Sequence, residues 1–218
     1  MGEREHAIKI AVIGAGNVGG ALGTLWAGKG HKVMFGVREP SSRQLAQLVK
    51  SINGQVRAGS VREAATFAEV VVLATPWPAT EDAIRSAGNL AGKTVIDCTN
   101  PLAPDLSGLV VGTDNSAGEE VARWAVGARV IKAFNTIGAA NFANPRFGTE
   151  TASMFIAGDD AAAKAVAARL AAELGFEVLD VGPLLAARWL EPLAMLWIHL
   201  AYKQGFGPTG HAFRLLRR

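Results

Sequence analysis

Three glycines spaced Gly14-x-Gly16-x-x-Gly19 follow directly on the apolar run Ile8 to Ile13, and Ala21, Leu22, Leu25 and Trp26 open a helical pattern behind them. Strand, tight turn and helix in that order form a unit that binds dinucleotides. Gly14 lets the chain turn sharply, Gly16 removes the Cβ that would hold a pyrophosphate off the backbone, and Gly19 lets the helix lie close on the strand. The unpaired N–H groups at the helix start face the phosphates, so Ala15, Asn17 and Val18 join the three glycines as candidate contacts. About 20 residues beyond the turn, an NAD enzyme would set an acidic residue against the ribose 2′-hydroxyl. Here the second strand ends in Val37-Arg38, and Glu39-Pro40-Ser41-Ser42-Arg43 follows. The guanidiniums of Arg38 and Arg43 and the hydroxyl of Ser42 suit a 2′-phosphate, which favours NADP. Two alternatives stay open: Glu39 on the ribose, and Arg38 as an ordinary surface arginine.

Two further loops belong to the same edge. Ala74-Thr75-Pro76-Trp77 ends an apolar strand with a proline that cannot continue the ladder, and Phe134-Asn135-Thr136-Ile137 ends another. Asn100 sits in the loop between them. Trp77 either stacks on a cofactor or roofs the adjoining core. Hydride transfer to a carbonyl usually wants a proton donor at the oxygen, and the candidates are poor. Tyr202 is the only tyrosine and adjoins Lys203, off the helical Tyr-x-x-x-Lys spacing. His31 precedes its strand at the wrong edge, while His6 and His211 lie near the termini. His199 is on an apolar helix, where a core or interface role competes with a direct one. Asp97-Cys98 has no base nearby in sequence, so Cys98 reads as a buried structural cysteine. No catalytic side chain and no metal-ligand cluster is assigned. A cleft with few ionisable groups suits direct hydride exchange between two stacked cofactors, which needs positioning and exclusion of water.

The elements that must carry these residues alternate regularly. Strands are expected at Ile8–Ile13, Lys32–Val37, Gln55–Ala58, Val70–Ala74, Lys93–Asp97 and Arg129–Phe134, with helices between them. The second helix is capped by Ser41 or Ser42, and one near Ser116-Ala117-Gly118-Glu119 by a capping box. Such alternation implies a doubly wound parallel α/β sheet of Rossmann type. Beyond it come a strand at Ser153–Ala157, a helix from Ala161 to Leu174, a strand at Phe176–Val181, and an apolar helix from Leu184 to Lys203 with a kink or break at Pro192. Residues 1–137 are therefore expected to form the dinucleotide-binding domain. Residues 138–218 would form a small C-terminal α/β cap or a dimer surface.

Of 218 residues, 50% are hydrophobic, ample for a sizeable core, and the net charge of +3 is spread along the chain. Arg214, Arg217 and Arg218 read as a solvated end, and nucleic-acid binding is not expected. Cys98 is the single cysteine, so no intrachain disulfide can form and a reducing compartment fits. Met1 to His6 are polar and unlike a signal peptide. No run of about 18 uncharged apolar residues occurs, so no membrane span is expected. The cytoplasm is the default compartment.

Gly14-Ala15-Gly16-Asn17-Val18-Gly19, Gly36-Val37-Arg38, Thr75-Pro76-Trp77 and Ala133-Phe134-Asn135-Thr136-Ile137 with Asn141-Phe142-Ala143-Asn144 resemble the NADPH-dependent reductases of the deazaflavin coenzyme F-420. Ala157-Gly158-Asp159-Asp160 and Asp180-Val181-Gly182-Pro183-Leu184, with Arg188, Leu190 and Glu191, extend the resemblance over nearly the whole chain. The oxidoreductase domain of the transmembrane STEAP metalloreductases shares the Lys132 to Ile137 type of segment. The resemblance implies a homodimer with the deazaflavin over the nicotinamide, between Asn135–Ile137 and the C-terminal helices. It also implies a serine-arginine pair on the 2′-phosphate, and here Val37 stands at the serine position beside Arg38. Asn135 stands where archaeal members have a histidine. The reading is an NADP-dependent oxidoreductase passing hydride between NADPH and coenzyme F-420 or a flavin. A reductase of a small imine or carbonyl, like the pyrroline-5-carboxylate reductases, is the alternative enzyme; a non-catalytic NADP sensor is the third.

Overall fold

The computed structural model describes residues 7–218, so Met1 to His6 and the reading placed on them lie outside the described residues. In chain order the elements are β1 (Lys9–Ile13), α1 (Asn17–Gly28), β2 (Lys32–Val37), α2 (Arg43–Ser51), β3 (Val56–Ser60), α3 (Val61–Phe67), β4 (Val70–Leu73), α4 (Thr80–Ala87), β5 (Thr94–Asp97), α5 (Ala117–Trp124) and β6 (Arg129–Lys132). A hairpin β7 (Arg146–Phe147) and β8 (Glu150–Thr151) follows, then β9 (Ser153–Gly158), α6 (Ala161–Ala172), β10 (Glu177–Asp180) and α7 (Ala187–Tyr202). One eight-stranded sheet runs β10-β9-β6-β5-β4-β1-β2-β3. The order reverses between β1 and β4, and in such sheets ligands bind at that switch point.

The strands are apolar because both faces are covered. In β1, Ile10 and Val12 point into one core with Leu22 and Trp26 of α1 and Leu170 of α6, while Ala11 and Ile13 point into the other with Ala64 of α3, Ile84 of α4 and Val121 of α5. The indole of Trp26 donates to the Leu170 carbonyl at 3.1 Å, tying α1 to α6. Helix starts are set by side chains: Ser42 accepts from Leu45 N–H, Ser60 and Glu63 form a reciprocal capping box, and Ser116 accepts from Glu119 N–H. The Glu119 carboxylate is turned instead toward Arg188 of α7, which it binds through two bonds of 2.8 and 2.7 Å.

Several sequence expectations meet a different detail in the structure. The strand read as Arg129–Phe134 ends at Lys132, because Phe134 has φ of +62° and leaves the extended conformation. The sheet is parallel except where β9 meets β6 antiparallel, Ile131 opposite Gly158 and Lys132 opposite Ala157. No helix crosses the sheet between β6 and β9, so the chain turns back at the carboxyl edge, and β10 then adds parallel to β9. Residues 138–218 thereby continue the sheet and lay α7 along its edge. Pro192 sits inside α7, which runs through it unbroken from Ala187 to Tyr202. By length and composition alone the helical stretch Leu184–Tyr202 could cross a membrane. It carries Arg188 and Glu191, both ion-paired to the rest of the chain, and buries Leu190, Ala194 and Trp197.

Lys132 ends β6 fully buried and is opposite Asp97 in the β5 register. Its ammonium donates to Asp97 Oδ2 at 2.9 Å, Glu191 Oε1 at 2.8 Å and the Thr99 carbonyl at 2.6 Å. Glu191 in turn accepts from the N–H groups of Ala117 and Gly118 at the start of α5, and Asp97 accepts from Thr99 N–H and hydroxyl. Burial pulls the Lys132 pKa down, but the Asp97 and Glu191 carboxylates push it up further, so it stays charged. A raised lysine pKa contributes stability that is complete below about 10.4 and fades as pH rises through the folded value. Replacing Lys132 by Met leaves two buried carboxylates without their cation, and urea unfolding should show a loss of about 3–5 kcal/mol at neutral pH. A midpoint within error of the parent's would contradict this account of the network.

Candidate functional site

The turn between β1 and α1 gives each glycine a separate task. Gly14 has φ of +99°, and a Cβ there would come within 2.5 Å of the Ala74 carbonyl oxygen. At Gly19 a Cβ would collide with the Gly14 carbonyl and Val12, so the helix could not sit on the strand. At Gly16 a Cβ would meet nothing within 4 Å. Gly16 is therefore bare toward open space, as a backbone that must touch a ligand should be. It caps α1 without a side-chain bond, the first helical bond is Gly20 N–H to Gly16 O at 2.7 Å, and no acidic residue lies in the first turn. The N–H groups of Asn17, Val18 and Gly19 precede that bond and make an anion site.

Three linked cavities follow the carboxyl edge. One of about 740 Å³ is walled by Ala15, Gly16, Asn17, Val37, Arg38 and Ser42, among others of α1 and α2. A second of about 280 Å³ shares Val37 and Arg38 with it and adds Gly14, Thr75, Pro76 and Ser86. The third, about 680 Å³, shares Asn17 and adds Val18, Cys98, Asn100, Phe134, Asn135 and Ile137, closed by Trp197, Ile198 and Tyr202 of α7. Arg38 is exposed and makes no ion pair among the described residues. The Ser42 oxygen already caps α2 but keeps its proton to donate. Arg43 opens α2 and Gly19 packs inward, neither in the wall of these three cavities. Ala74 backs Gly14, and Thr136 is buried. Trp77 lies against Trp124, ring centroids 5.2 Å apart, on the core beneath α4 and α5.

The third cavity is built on a strained turn. A buried phenylalanine at positive φ costs on the order of 1–3 kcal/mol, and Phe134 is held there by edge contacts with Trp26, Phe142 and Phe176. The next residue, Asn135, is thereby aimed at Asn100 and Leu190, with Nδ2 3.1 Å from Asn100 Oδ1 and 3.2 Å from Leu190 O. Asn100 Nδ2 returns a bond to the Asn135 carbonyl at 3.0 Å. Burial and the neighbouring Asp97 carboxylate push the Cys98 thiol up, so it faces the cavity as a neutral group. His199 is exposed, within 3.1 Å of Gln204, and His31 is bound to Glu173 and Ile8 N–H near the amino ends of β1 and β2. Among the described residues no group of three His, Cys, Asp or Glu could hold a metal. Lys132 and Leu190, which the sequence offers only within the segments that carry the family resemblance, act behind the wall, and a lysine inside an apolar strand calls for a buried partner.

The family described as NADP oxidoreductase, coenzyme F420-dependent, matches residues 9–101. A solved structure from Arthrobacter sp. FB24, provisionally named an F420-dependent NADP-reductase, is 34% identical with a TM-score of 0.88, over 97% of this chain and all of that one. The metalloreductase STEAP3 of Rattus norvegicus is 31% identical over 195 residues, 88% of this chain and 38% of that protein. The chain thus spans about two fifths of that relative's length. A reductive aminase of Aspergillus terreus, solved with NADPH and ethyl levulinate, shares the fold at 20% identity and a TM-score of 0.66, over 92% of this chain and 64% of that one.

The two glycines with opposite surroundings separate binding from folding. Gly16→Val should keep the circular dichroism and melting of the parent while losing NADPH binding in a fluorescence titration, whereas Gly19→Val should fail to fold. Parental NADPH affinity in a folded Gly16→Val protein would refute the phosphate site.

Proposed function

The chain belongs to the family of coenzyme F420-dependent NADP oxidoreductases, and from that premise we propose that it passes hydride between NADPH and a second redox ring, a deazaflavin such as coenzyme F-420 or a flavin. One observation carries the reading: the third cavity, contiguous with the glycine turn, has no wall residue that is charged at neutral pH. At about 680 Å³ it falls in the size range of drug-sized ligand sites, roughly 300–1,000 Å³, wider than one nicotinamide ring requires.

In this reading Gly14 to Gly19 and the α1 N–H groups hold the pyrophosphate, Arg38 and Ser42 hold the 2′-phosphate, and the adenine end lies between Val37 and Pro76. The nicotinamide, when bound, supplies or takes up the hydride. Phe134, Ile137, Trp197 and Ile198 exclude water, and Asn100 and Asn135 frame the rings. Positioning of this kind is worth several kcal/mol of barrier without any proton donor. We further propose a homodimer in which a second copy covers the outward apolar face of α7 and the turn that leads into it, where Trp189 and Leu196 of the helix are 65% and 48% exposed and Leu185 of the turn 43%. Sedimentation should give twice the monomer mass, and a Trp189→Glu, Leu196→Glu protein should sediment as a monomer.

Reduction of a small imine or carbonyl is the second reading, favoured by the Tyr202 phenol in the same cavity wall. NADPH oxidation by the purified protein with F-420, with FMN and with small imines or carbonyls distinguishes the two. Under the first reading Tyr202→Phe and Cys98→Ala keep most of the rate; loss of a general acid would lower it about 10²–10⁴-fold. Arg38→Ala should weaken NADPH binding roughly 10- to 100-fold and leave NADH nearly unchanged, since a charge-assisted bond is worth about 1.5–3 kcal/mol. Equal losses for both nucleotides would count against the 2′-phosphate role.

A further inference from the structure

The cavity of about 280 Å³ between the strand ends and α4 has two polar wall residues that nothing in the fold uses. Asp82 and Ser86 lie four residues apart on α4, so they share one face of the helix, and both are exposed in that wall. Among the described residues neither makes a hydrogen bond or an ion pair. The other acid of the same helical turn, Glu81, is committed to Arg85. The Thr75 hydroxyl is bonded to Thr80 at 2.9 Å. Arg38 is the single cation and Asp82 the single anion among the described residues of the wall, which Val37, Val61, Pro76, Ala79 and Ala83 make largely apolar. The space falls just short of the roughly 300–1,000 Å³ of drug-sized ligand sites, and so suits one flat base better than a whole nucleotide. A carboxylate beside an anionic ligand is repelled unless it meets a donor, and the N–H donor at the adenine end of NADPH is the exocyclic amine of the base.

We propose that Asp82 reads the base of NADPH by accepting a hydrogen bond from the adenine amine, with Ser86 donating to the ring nitrogen beside it. The inference rests on the reading of NADPH in this cleft. Hypoxanthine carries a carbonyl oxygen where adenine has that amine, which sets acceptor against acceptor at Asp82. Ser86 can donate or accept and tolerates either base, so discrimination belongs to Asp82. This cavity shares no wall residue with the one assigned to the hydride step, so selection of the base is separate from that chemistry. An acid in the first turn of a helix also favours the macrodipole, a structural effect that does not depend on which base is bound.

Fluorescence titration of the full chain with NADPH and with its hypoxanthine analogue tests this. The wild type should bind NADPH about tenfold or more tightly than the analogue, the worth of one charge-assisted bond. Asp82→Ala should bring that ratio near one by weakening NADPH and sparing the analogue. Asp82→Asn is isosteric, and its amide can turn to donate to the hypoxanthine carbonyl, so it should bind both nucleotides alike and carries the test if the alanine form does not fold. Equal weakening of both nucleotides in the variants, with the ratio kept, would be the structural effect alone and would overturn the proposal. Tighter binding of both with the ratio kept would set the carboxylate against the phosphates and overturn it as well. A wild-type ratio near one overturns it while leaving NADPH binding, and with it the functional reading, intact. Failure of the wild type to bind NADPH at all removes the functional reading and this proposal together.

Discussion

A single ammonium group holds together the parts of the chain that make the cleft. Lys132 ends β6, Asp97 ends β5, Glu191 stands on α7, and Glu191 also closes the start of α5. Four elements distant in sequence thus meet at one buried point, with every carboxylate oxygen there satisfied by the ammonium, a backbone N–H or a hydroxyl. A buried ion network contributes less to stability than its charges suggest, because each ion gives up its hydration. Its larger consequence is geometric. The loops that leave β5 and β6 carry Asn100 and Asn135, and α7 carries Leu190, Trp197 and Tyr202, so the third cavity inherits its shape from this contact.

The same economy of charge divides the cleft in two. At the glycine turn the attraction for anions comes from backbone N–H groups at the head of α1, supplemented by Arg38 at the strand end. At the far end the carboxylates are spent on Lys132 behind the wall, and the surface presented to a ligand is amide, thiol, aromatic and aliphatic. A charged phosphate chain and an uncharged reacting ring therefore face different chemistry within one continuous groove. The strain at Phe134 belongs to this arrangement, since an extended residue there would prolong β6 and carry Asn135 away from Asn100.

Much of this was legible in the sequence because it depends on local rules. The order of strands and helices follows from apolar runs and caps, and the glycine turn from spacing alone. The limits are equally physical. Ser60-Val61-Arg62-Glu63 carries a capping-box signature and forms the full box, whereas Ser116 to Glu119 carries the same signature and gives only half of it, since Glu119 is drawn to Arg188 across a contact 69 residues away. The antiparallel β9 could not be foreseen from a strand pattern that is the same in either direction. Trp77 meets Trp124 across 47 residues of chain, a contact that no local pattern in the sequence carries. Pro192 suggested a kink or a break, and the break does not occur: Glu191 and Ala194 on either side are both buried in one continuous α7.

Asn135 shows why site chemistry is the hardest property to read from a chain. In sequence it is one polar residue in a loop, with four hydrogen-bonding positions and no indication of which are used. Asn100 lies 35 residues away and Leu190 lies 55, and each removes one choice. What remains is a single acceptor with a defined position, and only the folded chain leaves it unpaired. Chemistry by positioning requires a wall that is mostly indifferent and a few polar atoms that are not. The buried ammonium behind that wall keeps those atoms in place.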